Sequence, residues 1–158
     1  MKILVDADSC PRPARELILR SSARTGVRAI FAANRPIPDI RGETAAMELC
    51  PPGEGAADNR IAGLAERGDL VITRDIPLAA RLVEASIAVL DDRGRSYTRE
   101  NIRERLSLRN FTVGLAESGR GIERTGSYGK RELKHFADGL DRVLSRLIRE
   151  EGANSSRG

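Results

Sequence analysis

Aromatic side chains are almost missing from this chain of 158 residues: they make up 3%, and tryptophan does not occur. A core of Leu, Ile, Val and Ala is therefore expected, and a platform of rings for stacking bases is disfavoured. The only histidine is His135. Without a partner it supplies neither a zinc site nor a Ser-His-Asp triad, and it reads as a residue on the surface or core edge of a helix. Cys10 and Cys50 are too few for a disulfide framework and too distant in sequence for a zinc pair, so both are expected as reduced thiols. No histidine lies near Cys10 in sequence to activate it as a nucleophile. No apolar run approaches 18 residues, so no membrane span is expected. The opening Met1 to Asp6 reaches a charge too early for a signal peptide. A cytoplasmic protein is expected. No glycine-rich phosphate loop follows the first apolar run.

The length suits one domain, and about 68–70% of the unfolded surface can be buried at this size. Charge is abundant but uneven. Residues 1–92 carry 12 Lys/Arg and 14 Asp/Glu, whereas residues 93–158 carry 15 and 9. An acidic site in the first part and a phosphate-friendly surface in the second would produce this split. Solvated mixed-charge helices, with 24 arginines against 3 lysines, would produce it equally.

Lys2 to Asp6 is a short β-branched run ending on a carboxylate, the pattern of a buried strand. Pro11 and Pro13 open a helix that Gly26 closes. Strands are predicted over Val27 to Ala32, Ala46 to Leu49, Asp69 to Thr73 and Ile87 to Leu90. Helices are predicted over Ala57 to Arg67 and Ile76 to Ala85. This alternation gives an α/β fold: a mostly parallel five-stranded sheet in a three-layer, Rossmann-like α/β/α arrangement. Extra helices follow, from Thr98 to about Leu106, from Arg109 to Glu117, and from Lys130 to Ile148. The last carries an apolar stripe through Leu133, Phe136, Leu140, Val143 and Leu147. Gly119 to Gly129 reads as a loop that could close over a substrate. Residues 1–150 are read as the domain and 151–158 as a frayed tail.

Asp6 and Asp8 stand where the first strand ends, and Asp75 where the strand through Thr73 ends. Asp58 opens the helix leading into that strand. Ligands of open α/β sheets bind beyond the carboxyl ends of strands, where the strand order reverses. If those two strands are neighbours, Asp6 and Asp75 face one another. Converging carboxylates repel, and a hard cation such as Mg²⁺ or Mn²⁺ relieves the repulsion. Blander roles exist: Asp58 or Asp8 as a helix cap, Asp69 as a turn residue. Asp6 is the hardest to explain away, because a charge at the end of an apolar strand needs a partner.

Asp6-Ala7-Asp8 also resembles the start of haloacid dehalogenase-like phosphatases, where the first Asp is a nucleophile and the second a general acid. No lysine lies between the first and fourth strands, and Ser9-Cys10 stands where that pattern has Thr.

A closer resemblance comes from longer stretches. Ile3-Leu4-Val5-Asp6-Ala7-Asp8-Ser9-Cys10-Pro11 resembles the signature of the YaiI/YqxD family of uncharacterised bacterial proteins. Ala57-Asp58-Asn59-Arg60-Ile61, Gly68-Asp69-Leu70-Val71-Ile72-Thr73-Arg74-Asp75 and Arg93-Gly94-Arg95-Ser96-Tyr97-Thr98 agree with it, as do Arg131, Phe136-Ala137 and Leu140-Asp141-Arg142. The likeness spans roughly residues 1–147. That family looks like a relative of PIN-like domains, which are metal-dependent nucleases. The resemblance implies Asp6, Asp58 and Asp75 as metal ligands with Mg²⁺ or Mn²⁺. Asp8 would act through a bound water, and Ser9, Asn34 and Thr73 would support the site by hydrogen bonds. The fourth acid of PIN domains has no clear counterpart; Glu16 and Glu54 are the candidates. Phosphates of RNA or DNA would meet Arg93, Arg95, Arg103, Arg105, Arg109, Lys130 and Arg131. A protein that binds nucleic acid without cutting it is the alternative.

Overall fold

The computed structural model describes residues 1–117 and 127–157. Strand β1 (Lys2–Asp6) leads to helix α1 (Arg12–Thr25), then β2 (Arg28–Ala33) and β3 (Ala45–Leu49). Helix α2 (Ala56–Leu64), β4 (Leu70–Ile72), α3 (Ile76–Glu84) and β5 (Ala88–Leu90) follow. The chain ends with β6 (Ser96–Tyr97), α4 (Arg99–Glu117) and α5 (Lys130–Arg157). The sheet has six strands in the order β3-β2-β1-β4-β5-β6. All pairings are parallel except β5 with β6.

Both faces of this sheet are covered, so its central strands are apolar throughout rather than alternating. Side chains still take turns. Ile3, Val5, Leu70, Ile72 and Phe31 face one cluster with Ile18 of α1 and Phe136, Leu140 and Leu144 of α5. Leu4, Val71 and Val89 face the other, with Ile61 of α2, Leu78 and Leu82 of α3 and Ile102 of α4. The result is a three-layer α/β/α fold with α1 and α5 on one side and α2, α3 and α4 on the other. The core is aliphatic, as the shortage of rings requires; Phe31 and Phe136 are the aromatic exceptions at full burial.

Local signals explain the helix ends. Pro11 and Pro13 flank the start of α1, and Gly26 ends it in the left-handed conformation at φ 75°. Asp75 caps α3: its carboxylate accepts a hydrogen bond from the Leu78 N–H.

The structure departs from the sequence-based expectation in several places. A sixth strand, two residues long, is added at the edge. The two predicted helices around Leu106 and Arg109 are one continuous helix. Residues 151–157, expected to fray, continue α5, and Glu151 accepts the Met1 ammonium at 2.7 Å. Most of the loop from Gly119 to Gly129 lies outside the described residues.

One contact sets how α5 lies against the sheet. Gly94 turns the chain between β5 and β6 at φ 83°. Gly139 of α5 packs so closely on it that an added Cβ would sit 2.7 Å from the Gly94 carbonyl oxygen. Backbone on both sides leaves no soft neighbour to give way. Gly139→Ala is expected to destabilise the fold by about 2–3 kcal/mol through overpacking. Gly94→Ala should cost more, since its φ also disfavours an L side chain. Urea unfolding of both variants checks the order.

Candidate active site at the carboxyl edge of the sheet

The strand order reverses between β1 and β4, which run parallel. From there, β2 and β3 extend one way and β5 the other. A crevice beyond the carboxyl ends is the consequence. Asp6 is the last residue of β1, and Asp75 follows β4 by three positions. The two strands are direct neighbours, with Val5 registered against Ile72.

Asp6 is 8% exposed. Its Oδ2 accepts two hydrogen bonds, from Ser9 Oγ at 3.1 Å and from Thr73 Oγ1 at 3.1 Å. Thr73 is buried, and its Oγ1 in turn accepts the Asp75 N–H at 3.0 Å. One hydroxyl thus ties the ends of β1 and β4 together. Asp75 presents Oδ1 to the Leu78 N–H at 2.8 Å, so it sits on the positive end of α3. Asp58 lies in the first turn of α2, while Gly55 occupies the cap position; Asp58 is not an N-cap.

The electrostatics follow from this placement. Burial pushes the Asp58 carboxyl up to about 6, and the charges of Asp75 and Asp6 add to the effect. Burial also raises Asp6; the hydroxyls of Ser9 and Thr73 oppose the rise, while Asp75 and Asp8 add to it. Asp75 and Asp6 thus both repel the Asp58 carboxylate. Among the described residues, no three Asp, Glu, His or Cys side chains are grouped so as to close around a metal ion. The donors are hard oxygens of the kind Mg²⁺ and Mn²⁺ take, and their mutual repulsion fits such a cation.

Asp8 is held differently. Its Oδ2 accepts the Asn34 backbone N–H at 3.0 Å, and its Oδ1 lies 3.9 Å from Arg35 Nε. The support expected from Asn34 thus comes from its backbone, and it reaches Asp8. Glu16 pairs with Arg12 on the exposed side of α1, and Glu54 is exposed in the loop before α2. Asp69 is a turn residue at the opposite edge, binding the Lys2 ammonium at 2.7 Å and the Glu66 N–H at 2.9 Å.

The sequence reading missed Asp91 and Asp92, both buried just after β5. The signal was present, since Ile87 to Leu90 is another apolar run ending on carboxylates. Asp91 Oδ1 accepts the N–H groups of Arg93 and Arg95, both at 2.9 Å, and shapes the turn. Asp92 Oδ2 lies 3.3 Å from Arg74 Nε. Burial raises its carboxyl, and Arg74 opposes that rise. Asp6, Ser9, Cys10, Thr73, Arg74 and Asp92 line one narrow cavity. Cys10 and Cys50 are free and buried, and burial pushes the Cys10 thiol up to about 12, far from a reactive thiolate.

The arginines divide. Arg95, Arg105 and Arg109 line a cleft of about 570 Å³ that also includes Ile76, the residue after Asp75. Arg105 stacks over Tyr97 at 5.0 Å and stands 3.9 Å from Asp91. Arg103 belongs to a separate groove between α3 and α4. Arg93 contributes its backbone to the Asp91 turn. Lys130 and Arg131 are exposed in the first turn of α5. That turn follows Tyr128, whose hydroxyl donates to the Asp92 carbonyl at 2.6 Å.

Comparison with known proteins places the chain in a family. The family described as "Uncharacterized BCR, YaiI/YqxD family" matches residues 4–146. The chain belongs to the YaiI/YqxD family. It is 49% identical over 149 residues to a UPF0178 protein of Treponema pallidum, covering 94% of this chain and 84% of the relative. It is 44% identical over 151 residues to a UPF0178 protein of Myxococcus xanthus, covering 96% and 99%. No solved structure matches the chain significantly.

Two outcomes follow for this YaiI/YqxD site. Asp58 binds a proton more tightly folded, at about 6, than at its ordinary 3.8. Its contribution favours the fold at low pH and is lost as pH rises from about 4 through 6. Relative to Asp58→Asn, the wild-type protein should lose stability across that window, and a carbon-detected carboxyl titration should place the Asp58 midpoint near the top of it. Thr73→Val removes the hydroxyl between Asp75 and Asp6 and should cost about 2 kcal/mol in urea unfolding, the usual penalty for stranding buried polar groups.

Proposed function

We propose that this protein is a divalent-cation-dependent phosphodiesterase acting on nucleic acid, with its reaction centre at Asp6, Asp58 and Asp75. One observation carries the reading: Asp6, Asp58 and Asp75, from three separate elements, stand near enough at the sheet's switch point for the charges of Asp75 and Asp6 to add to the rise of the Asp58 carboxyl. A purely structural role does not require that arrangement, and it costs stability. The resemblance of the strand-end and helix-start motifs to PIN-like nucleases supports it.

Asp6, Asp58 and Asp75 would hold Mg²⁺ or Mn²⁺. A bound cation would supply activation of water and charge stabilisation at a phosphodiester. The chain's own residues have defined tasks beside it. Ser9 and Thr73 fix the Asp6 carboxylate, and the capping bond to Leu78 fixes Asp75. Asp8, at the mouth of the crevice, would orient a water. Arg95, Arg105 and Arg109 would receive phosphates in the adjoining cleft. Among the described residues no helix is long and apolar enough to cross a membrane.

Calorimetric titration with Mn²⁺ tests the reading without a guess about substrate. Saturable binding weakened at least tenfold, about 1.4 kcal/mol, by Asp6→Asn and by Asp75→Asn is the expected result. Cleavage of labelled RNA and DNA oligonucleotides, lost in the same variants, would follow. Absence of Mn²⁺ binding together with steeply salt-dependent oligonucleotide binding would overturn it in favour of a non-catalytic binding protein.

A further inference from the structure

The sheet ends in two edges, and the chain guards them unequally. An edge strand shows a row of unpaired N–H and C=O groups, which short length, lysine, proline or a bulge normally blunts. Strand β6 is blunted by its length of two residues. Strand β3 has five, Ala45 to Leu49, with neither lysine nor proline among them. Among the described residues no strand lies beyond it. Pro51-Pro52 stand just past its end.

Backbone hydrogen bonds show which groups of β3 face outward. The Thr44 carbonyl accepts the Ala29 N–H at 2.9 Å, and the Cys50 N–H donates to the Ala33 carbonyl at 2.8 Å. Even-numbered residues therefore bond to β2, and odd-numbered ones turn their N–H and C=O groups away from it. The Ala45 N–H meets the Gly42 carbonyl at 3.3 Å. The groups of Met47 and Leu49 point past the last strand. Leu49 is also 61% exposed, although Ala45 and Met47 on the same face pack against the core. An exposed leucine on an open, unguarded edge marks a pairing surface.

We infer that β3 pairs with the β3 of a second copy of this chain, antiparallel about a two-fold axis at Met47. The strand fits itself in this register. With Met47 opposite Met47, Leu49 of each copy falls opposite Ala45 of the other, a large side chain against a small one on the same face. Glu48 is the only charge on the strand, and it falls opposite Ala46, so no two charges meet directly. The two Glu48 side chains become diagonal neighbours, and each already holds its own Arg60 at 2.7 Å. Two carboxylates and two guanidiniums then balance across the seam. A two-fold pairing also closes on itself and leaves no β3 edge for a third copy. The six strands of each copy join in one continuous sheet whose two carboxyl edges point opposite ways. This inference does not rest on the cation-dependent reading, and either can fail alone.

Sedimentation of the full chain over about a hundredfold range of concentration tests it. The mass should rise from that of one chain toward that of two. Leu49→Lys puts a charge on the edge and should weaken dimerisation at least roughly tenfold. Leu108→Lys alters the other exposed leucine, on α4, and should change it less than about twofold. Cysteine variants read the register, since Cys10 and Cys50 are buried. Met47→Cys should join to its copy through a short bifunctional thiol reagent. Leu49→Cys should not, because its two copies stand about 14 Å apart along the strands. Circular dichroism confirms that each variant is folded; if Leu49→Lys is not, the crosslinking pair decides. A monomer at every concentration would overturn the inference and give the edge to an extended segment of another protein. Dimers that Leu49→Lys leaves unchanged, or Met47→Cys crosslinking no better than Leu49→Cys, would overturn it as well.

Discussion

Everything at the candidate site depends on the sheet being buried from both sides. Ile3, Leu4 and Val5 are all fully enclosed, so polar side chains of β1 are confined to its two ends, Lys2 and Asp6. The same holds for Leu70 to Ile72 of β4. Polar groups are therefore displaced to the strand ends, and parallel pairing puts those ends on one edge. Asp6, Thr73, Asp75, Asp91 and Asp92 collect there because the hydrophobic layers leave them nowhere else to go.

Within that edge, Thr73 does most of the organising. Its hydroxyl receives from the Asp75 backbone and donates to Asp6. It sets the relative height of two carboxylates that would otherwise separate by repulsion. Asp75 is anchored a second time as the cap of α3. Asp58 lacks a comparable anchor in its helix, and its carboxyl is the one pushed up to about 6. Burial is the largest cause of that rise, and the charges of Asp75 and Asp6 add to it.

Much of this was readable in the residues. Apolar runs ending on carboxylates marked β1 and β4, and prolines and Gly26 marked the helix boundaries. The neighbouring placement of β1 and β4 was a condition of the reading, and the structure meets it. What stayed hidden was non-local. Strand β6 has two residues and exists through pairing with β5. The extension of α5 runs through Gly152, Asn154 and Ser155, which favour helix poorly, and its exposed side chains leave no periodic stripe. Asp91 and Asp92 were missed, because only β5 lying beside β4 brings Asp92 to the cavity that Asp6 also lines. The contact of Gly94 with Gly139 joins residues 45 positions apart, which no local pattern announces.

Helix α5 has a consequence for how the protein is made. Phe136, Leu140 and Leu144 seal Ile3, Val5 and Phe31, yet they are synthesised after every strand of the sheet. On the ribosome, β1 to β5 can pair while one of their faces is covered only by α1. A nascent chain in that state shows an aliphatic surface to its surroundings until α5 emerges, which is the period of greatest risk for aggregation and greatest need of a chaperone.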